Sequence, residues 1–155
     1  MGSDGRHTGL PSRQTFGSLF REPYQTYLQW LYGRLKEDGF PDIRVAHSTV
    51  VRRMSAEGVR VTDLAERAGM TKQSMAYLVE DLIDLGYVST APDPTDGRAK
   101  LVVTTVKGES LLAASRRLGD LYERHVAKLL GANDAKKLRT LLEELSRKLR
   151  ESPPA

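Results

Sequence analysis

Apolar residues recur three and four positions apart along most of the chain, the spacing of one face of a helix, and the period changes only after Gly86. Tyr24, Tyr27, Leu28, Leu31 and Leu35 predict a first helix over residues 23–38, opened by Pro23 and stopped at Asp38-Gly39. Pro41 and Asp42 open a second segment in which Ile43, Ala46, Val50 and Met54 share a face, closed by Glu57-Gly58. Two more helix starts follow in VTDLAERAGMTKQSMAYLVEDLIDLGYV: Thr62 precedes a short periodic piece holding Leu64 and Ala65, and Thr71 precedes a longer one. Only Ala68-Gly69-Met70 lies between them, which reads as helix, tight turn, helix. In the second of the pair Met75, Leu78, Val79 and Leu82 form the inward stripe. That leaves Lys72, Gln73, Ser74, Ala76 and Tyr77 facing outward near its N-terminus.

After Gly86, residues 87–90 and 100–104 are rich in β-branched side chains and bracket APDPTDGRA, which predicts a β-hairpin with a nine-residue tip. Thr105 then reads as the cap of a long helix reaching about Leu130, with Leu111, Leu118, Leu121, Tyr122, His125 and Leu129 near heptad spacing. Gly131 stops it, and Asn133 is expected to cap a last helix carrying Leu138, Leu141, Leu142, Leu145 and Leu149. Residues 1–18 are rich in Gly and Ser and lack an apolar period, so they read as a mobile arm before a single domain at 19–155. The predicted fold is mainly α with a small β-hairpin: a winged helix-turn-helix lobe at 42–105, flanked by helical elements at 23–38 and 106–150.

Composition narrows the chemistry. Hydrophobic residues at 39% and charged residues at 28% are the usage of a chain that folds. The absence of cysteine removes disulfides, thiolate zinc sites and thiol catalysis. His47 and His125 have no partner at a metal-ligand spacing and read as structural, with His7 in the arm, so no metal or cofactor is expected. Neither G-x-S-x-G, G-x-x-x-x-G-K-[ST] nor G-x-G-x-x-G occurs, and no enzyme is expected. The longest apolar run, residues 75–79, is too short for a membrane span, and a cytoplasmic protein is the expectation. A net charge of +4 permits a polyanionic partner without demanding one.

A helix-turn-helix followed at once by a hairpin suits duplex DNA. The major groove admits one helix and carries a distinct donor and acceptor code, and a hairpin tip reaches the minor groove beside it. Gln73, Ser74 and Tyr77 are then candidates for base edges or phosphates, and Thr62, Thr71 and Lys72 lie where a helix N-terminus meets phosphate. Arg98 at the hairpin tip is the candidate for a narrow minor groove, with Lys100 behind it on the backbone. Tyr77 could equally pack on its own wing. The leucine stripes of the last two helices exceed what a small interior absorbs and call for a second subunit. The rival reading is a winged-helix protein-interaction or architectural protein without sequence-specific DNA contact.

These residues resemble the MarR family of bacterial winged-helix transcription regulators. The most specific string is Asp93-Pro94-x-Asp96-x-Arg98-Ala99-Lys100 followed by Thr105-x-x-Gly108, and the likeness runs from about Pro23 to Leu149. It implies a homodimer joined through the first and last two helices, placing Tyr24, Leu28, Leu31, Leu118, Leu121, Leu129, Leu138, Leu141, Leu142, Leu145 and Leu149 at the interface. It also implies that Asp96 steadies Arg98, and that the target is a pseudo-palindromic operator with half-sites about one helical turn apart. A repressor relieved by a small aromatic or phenolic effector is expected from the same likeness, in a crevice to which Tyr27, Trp30, Arg34 and His47 are assigned. Such a protein is nucleoid-associated when bound. The chain departs from the family in having Tyr77 where arginine is frequent and in lacking basic residues at Thr90 and Gly97. Glu80, Asp81 and Asp84 make the far half of the recognition helix acidic, so that only its N-terminal end is expected to approach phosphates.

Overall fold

Thr15 accepts the Ser18 amide on its hydroxyl at 3.3 Å and so starts the first helix, α1 (Phe16–Glu37), well before Pro23. Pro23 lies inside that helix and forfeits one backbone hydrogen bond there. Of the arm expected at 1–18, residues 16–18 are helical; residues 1–13, with His7, lie outside the described residues. The computed structural model describes residues 14–54 and 57–153.

The second segment is a 3₁₀ turn (Val45–His47) running into a single α turn, α2 (Ser48–Val51), rather than one helix. The tighter winding rotates Ala46 to the surface, against expectation, and buries His47 beside Ile43 and Val50. The next helix, α3 (Val61–Ala68), starts at Val61 with Arg60 as its flanking residue, so Thr62 is not the cap. Gly69 turns the chain with left-handed angles (φ 63°, ψ 33°), and Thr71 caps α4 (Lys72–Asp84) by accepting the Ser74 amide at 3.1 Å.

The hairpin pairs β1 (Val88–Asp93) with β2 (Asp96–Thr104) in antiparallel register, Val88 opposite Thr104 and Thr90 opposite Val102. Its tip is Pro94-Thr95 alone, not nine residues, because Asp93 accepts both the Thr95 amide at 2.8 Å and the Thr95 hydroxyl at 2.7 Å and closes the turn early. Val59 bridges to Val102 from outside the pair, its N–H donating at 3.1 Å and its carbonyl accepting at 2.9 Å.

Thr105 fastens the hairpin to α5 (Val106–Leu130): its hydroxyl accepts the Gly108 amide at 3.1 Å and donates to the Gly86 carbonyl at 2.7 Å. A Cβ at Gly108 would stand 2.1 Å from the Tyr87 carbonyl oxygen, so the Thr105-x-x-Gly108 string is a packing requirement. Tyr87 is buried, donates to Asp42 at 2.5 Å, and lies under the Lys107 ammonium at 4.1 Å. Burial, then Asp42, pushes its phenol above the usual range. Gly131 (φ 83°, ψ 150°) leads directly into α6 (Ala132–Glu151), and Asn133 is within that helix, not its cap.

The core runs from Leu31 and Leu35 on α1 through Leu64, Met75 and Leu82 to Leu111 and Leu118 on α5. Leu31 and Leu118, expected at a subunit interface, are thus covered within one chain. By contrast α6 contributes no buried residue.

Candidate nucleic-acid interface

Lys72, Gln73, Ser74 and Tyr77 are all exposed on the N-terminal half of α4, Tyr77 at 64%, while Met75, Val79 and Leu82 anchor the opposite face and Leu78 is half-buried. Ala76 is only half-exposed. Thr71 spends its hydroxyl internally, accepting the Ser74 amide and donating to Ser74 Oγ at 2.9 Å, so its role in this geometry is to cap. Thr62 donates to Asp63 at 3.3 Å from an exposed position in the first turn of α3.

α4 is anchored from behind by His47. The ring Nδ1 accepts the Arg44 amide at 3.1 Å, which places the proton on Nε2, and Nε2 donates to Asp81 Oδ2 at 2.7 Å. Arg44 also bonds Asp81. The His47 bond first, then Arg44, holds the Asp81 carboxyl below its ordinary range against partial desolvation. Asp81 is therefore neutralised by its own chain, which corrects the picture of three acids repelling phosphate along α4: Glu80 and Asp84 alone are exposed.

The wing presents Arg98 and Lys100 to solvent, and among the described residues neither side chain has a hydrogen-bond or ion-pair partner. Asp96 steadies Arg98 through the backbone, accepting its amide at 3.1 Å. Asp93, part of the family string but given no site role by it, is 6% exposed and saturated: Thr95 occupies Oδ1, and Arg60 donates to Oδ2 from Nε at 2.7 Å and Nη2 at 2.6 Å. The Thr95 hydroxyl and amide, then Arg60, pull the Asp93 carboxyl down to about 2. A pair separated by 33 positions leaves no local trace in a sequence.

A crevice of about 520 Å³ opens between α1, α2 and α5. Tyr24, Tyr27, Tyr32, Arg52, Ser115 and Arg116 line it with aliphatic neighbours. Of the four residues assigned to such a crevice, only Tyr27 is there. Trp30 packs on Tyr122 at 5.2 Å, Arg34 pairs with Glu37 at 2.8 Å, and His47 is enclosed behind α4. Burial, then Tyr24, raises the Tyr27 phenol, and burial raises Tyr32 against a bond from Ser48, so both line the crevice as neutral hydroxyls. Among the described residues no group of acids and histidines is placed to hold a metal, and no helix is long and apolar enough to cross a membrane.

A helix-turn-helix with its exposed polar helix start, closed by a strand-paired wing, defines a winged-helix transcription regulator of the DNA-binding class. The chain belongs to the MarR family: that family's model matches residues 42–99, and the transcriptional regulator HosA of Escherichia coli O111:H- is 31% identical over 93 residues, 59% of this chain and 69% of that protein. The fold agrees. Wild-type apo MarR from E. coli superposes with a TM-score of 0.68 at 22% identity, covering 85% of this chain and 97% of that one. A mutant of S. aureus MepR bound to an oligodeoxyribonucleotide superposes at 0.59 and 20% identity, over 88% and 99%.

Proposed function

We propose that two copies of this chain form a repressor that holds two winged lobes on a pseudo-palindromic operator. The observation that carries the DNA reading is the pairing of an exposed, polar α4 start with a wing whose Arg98 has no protein partner among the described residues. Gln73, Ser74 and Tyr77 meet base edges, Thr62 and Lys72 meet phosphates, Arg98 enters the minor groove and Lys100 supports it on the backbone. The oligonucleotide in the MepR structure supports the same use of the fold. Dimerisation is supported by the exposed apolar residues Tyr24, Leu121, Leu129, Leu138, Leu141, Leu142, Leu145 and Leu149, together with half-buried Leu28. The role is one of binding and release, without a catalysed reaction.

The effector is an aromatic or phenolic acid seated in the crevice between α1, α2 and α5. Neutral tyrosines and aliphatic walls suit a ring, and Arg52 and Arg116 suit its carboxylate. Release of DNA requires that the effector bind the DNA-incompetent arrangement more tightly than the competent one.

Salt-matched binding to the promoter next to the coding sequence tests the main reading. A preference of ~10³ over random duplex is expected, and equal affinity for both would favour the architectural alternative. Calorimetry with phenolic acids tests the effector; absence of heat and unchanged operator affinity would remove it.

A further inference from the structure

Three charged side chains, Arg60, Asp93 and Asp96, meet at the wing, and a fourth, Arg98, is exposed beside them with its guanidinium unpartnered among the described residues. Arg60 precedes α3 and sends its guanidinium across to the wing, where Nε and Nη2 bond Asp93 Oδ2 and Nη2 stands 3.7 Å from Asp96 Oδ2. Asp63, in the first turn of α3, adds to the negative field around Arg60. Asp93 is buried and its other oxygen is taken by Thr95. Asp96 turns its second oxygen to the Arg98 amide. Counted at neutral pH, Asp93, Asp96, Arg60 and Arg98 sum to zero; without Arg60 the same tip carries one net negative charge and presents it to phosphates. The nearest cation in sequence to both carboxylates would then be Arg98, whose fork fits a carboxylate as well as a groove floor.

We propose that Arg60 is the positioning residue of the wing: by occupying Asp93 and facing Asp96 it keeps both carboxylates off the Arg98 guanidinium and leaves that guanidinium to DNA. The inference rests on the reading of Arg98 as a groove contact and adds what holds that contact available. Because Arg60 flanks α3, the same ion pair ties the wing tip to the start of the helix-turn-helix. The register bond between Val59 and Val102 joins the two next door.

The test is fluorescence anisotropy of the full-length dimer on duplex from its own promoter, with thermal melts alongside. Arg98→Ala is expected to weaken binding about tenfold, the scale of one groove-inserted arginine. Arg60→Gln is expected to lose a similar factor, and Arg60→Gln/Arg98→Ala to bind no more weakly than either single variant. A merely structural Arg60 would give losses that multiply. Arg60→Lys, which keeps the charge, recovers most of the loss. Arg60→Gln/Asp93→Asn removes both members of the Arg60–Asp93 pair and binds within a few-fold of wild type; it decides the matter if Arg60→Gln does not fold. Wild-type affinity in Arg60→Gln with a weakened Arg98→Ala overturns the inference alone. Multiplying losses or a weak Arg60→Gln/Asp93→Asn do the same. Wild-type affinity in Arg98→Ala overturns both the inference and the reading beneath it.

Discussion

The winged lobe and the helical end of the molecule use the same residue type to opposite effect. In the lobe leucine is spent internally: Leu64 and Leu82 are fully buried, with Met75 and Val50 against the same core. Along α6 no leucine is buried within the chain, and Leu141 remains 62% exposed. The lobe also fixes its polar groups with long-range pairs such as His47–Asp81 and Arg60–Asp93, whereas α6 is laced mostly by pairs one turn apart, such as Arg147–Glu151 at 2.8 Å. One region is closed within the chain; the other leaves its apolar face exposed, as the proposed dimer requires. Stability of the first is a property of one chain, and stability of the second should depend on how many chains are present.

That contrast can be broken in several ways. Leu64→Ala should cost about 2–5 kcal/mol in urea unfolding, whereas Leu141→Ala at low protein concentration should cost under ~0.5 kcal/mol; equal losses would erase the distinction. Leu141→Glu combined with Leu145→Glu should yield a single-chain species in sedimentation, with the lobe still folded and operator affinity down by ~10² as bivalency is lost. A persisting dimer would move the interface elsewhere. Thr71→Ala should remove the cap of α4 and lower stability by about 1 kcal/mol, seen as faster amide exchange in its first turn.

Acid should loosen the lobe within a defined window. Asp93 titrates at about 2 when folded, and Asp81 is also lowered. A depressed carboxyl contributes stability above its unfolded value of ~3.9 and loses it as pH falls toward the folded value. Amide protection in the lobe should therefore hold above about pH 4 and decline between about 4 and 2. Arg60→Gln/Asp93→Asn should flatten that limb; an unchanged limb would place the acid sensitivity elsewhere. Least of all, Arg147→Ala should leave the melting temperature unmoved, because its pair is exposed on both sides.

Locality decides which of these features could be read from residues alone. Thr71 and Thr105 announce their helices because a cap and the amide it accepts are three residues apart. Thr62 and Asn133 have the same chemistry, yet Arg60 and Gly131 hold the flanking positions, since β pairing at Val59 and the sharp turn at Gly131 set where each helix begins. Pro23 resembled a start and is an interior residue, because Thr15 had already capped the chain upstream. The wing tip closes early through the side chain of Asp93. Of the crevice, the stripe of Tyr24, Tyr27 and Leu31 was visible as a helix face. Arg52 and Arg116 are brought opposite it only by the packing of α2 and α5, and no spacing in the chain foretells that.

The joint at Gly131 has a mechanical corollary. A single residue in a backbone geometry natural to glycine separates α5 from a 20-residue helix about 30 Å long, so a bend of ten degrees there sweeps the distal leucines through about 5 Å on that lever arm. A side chain at this position would re-aim the lever, and any second protein clasped by α6 would travel with it. The direction in which α6 leaves α5 is thus set at one residue, with the Arg139–Glu123 pair as its brace.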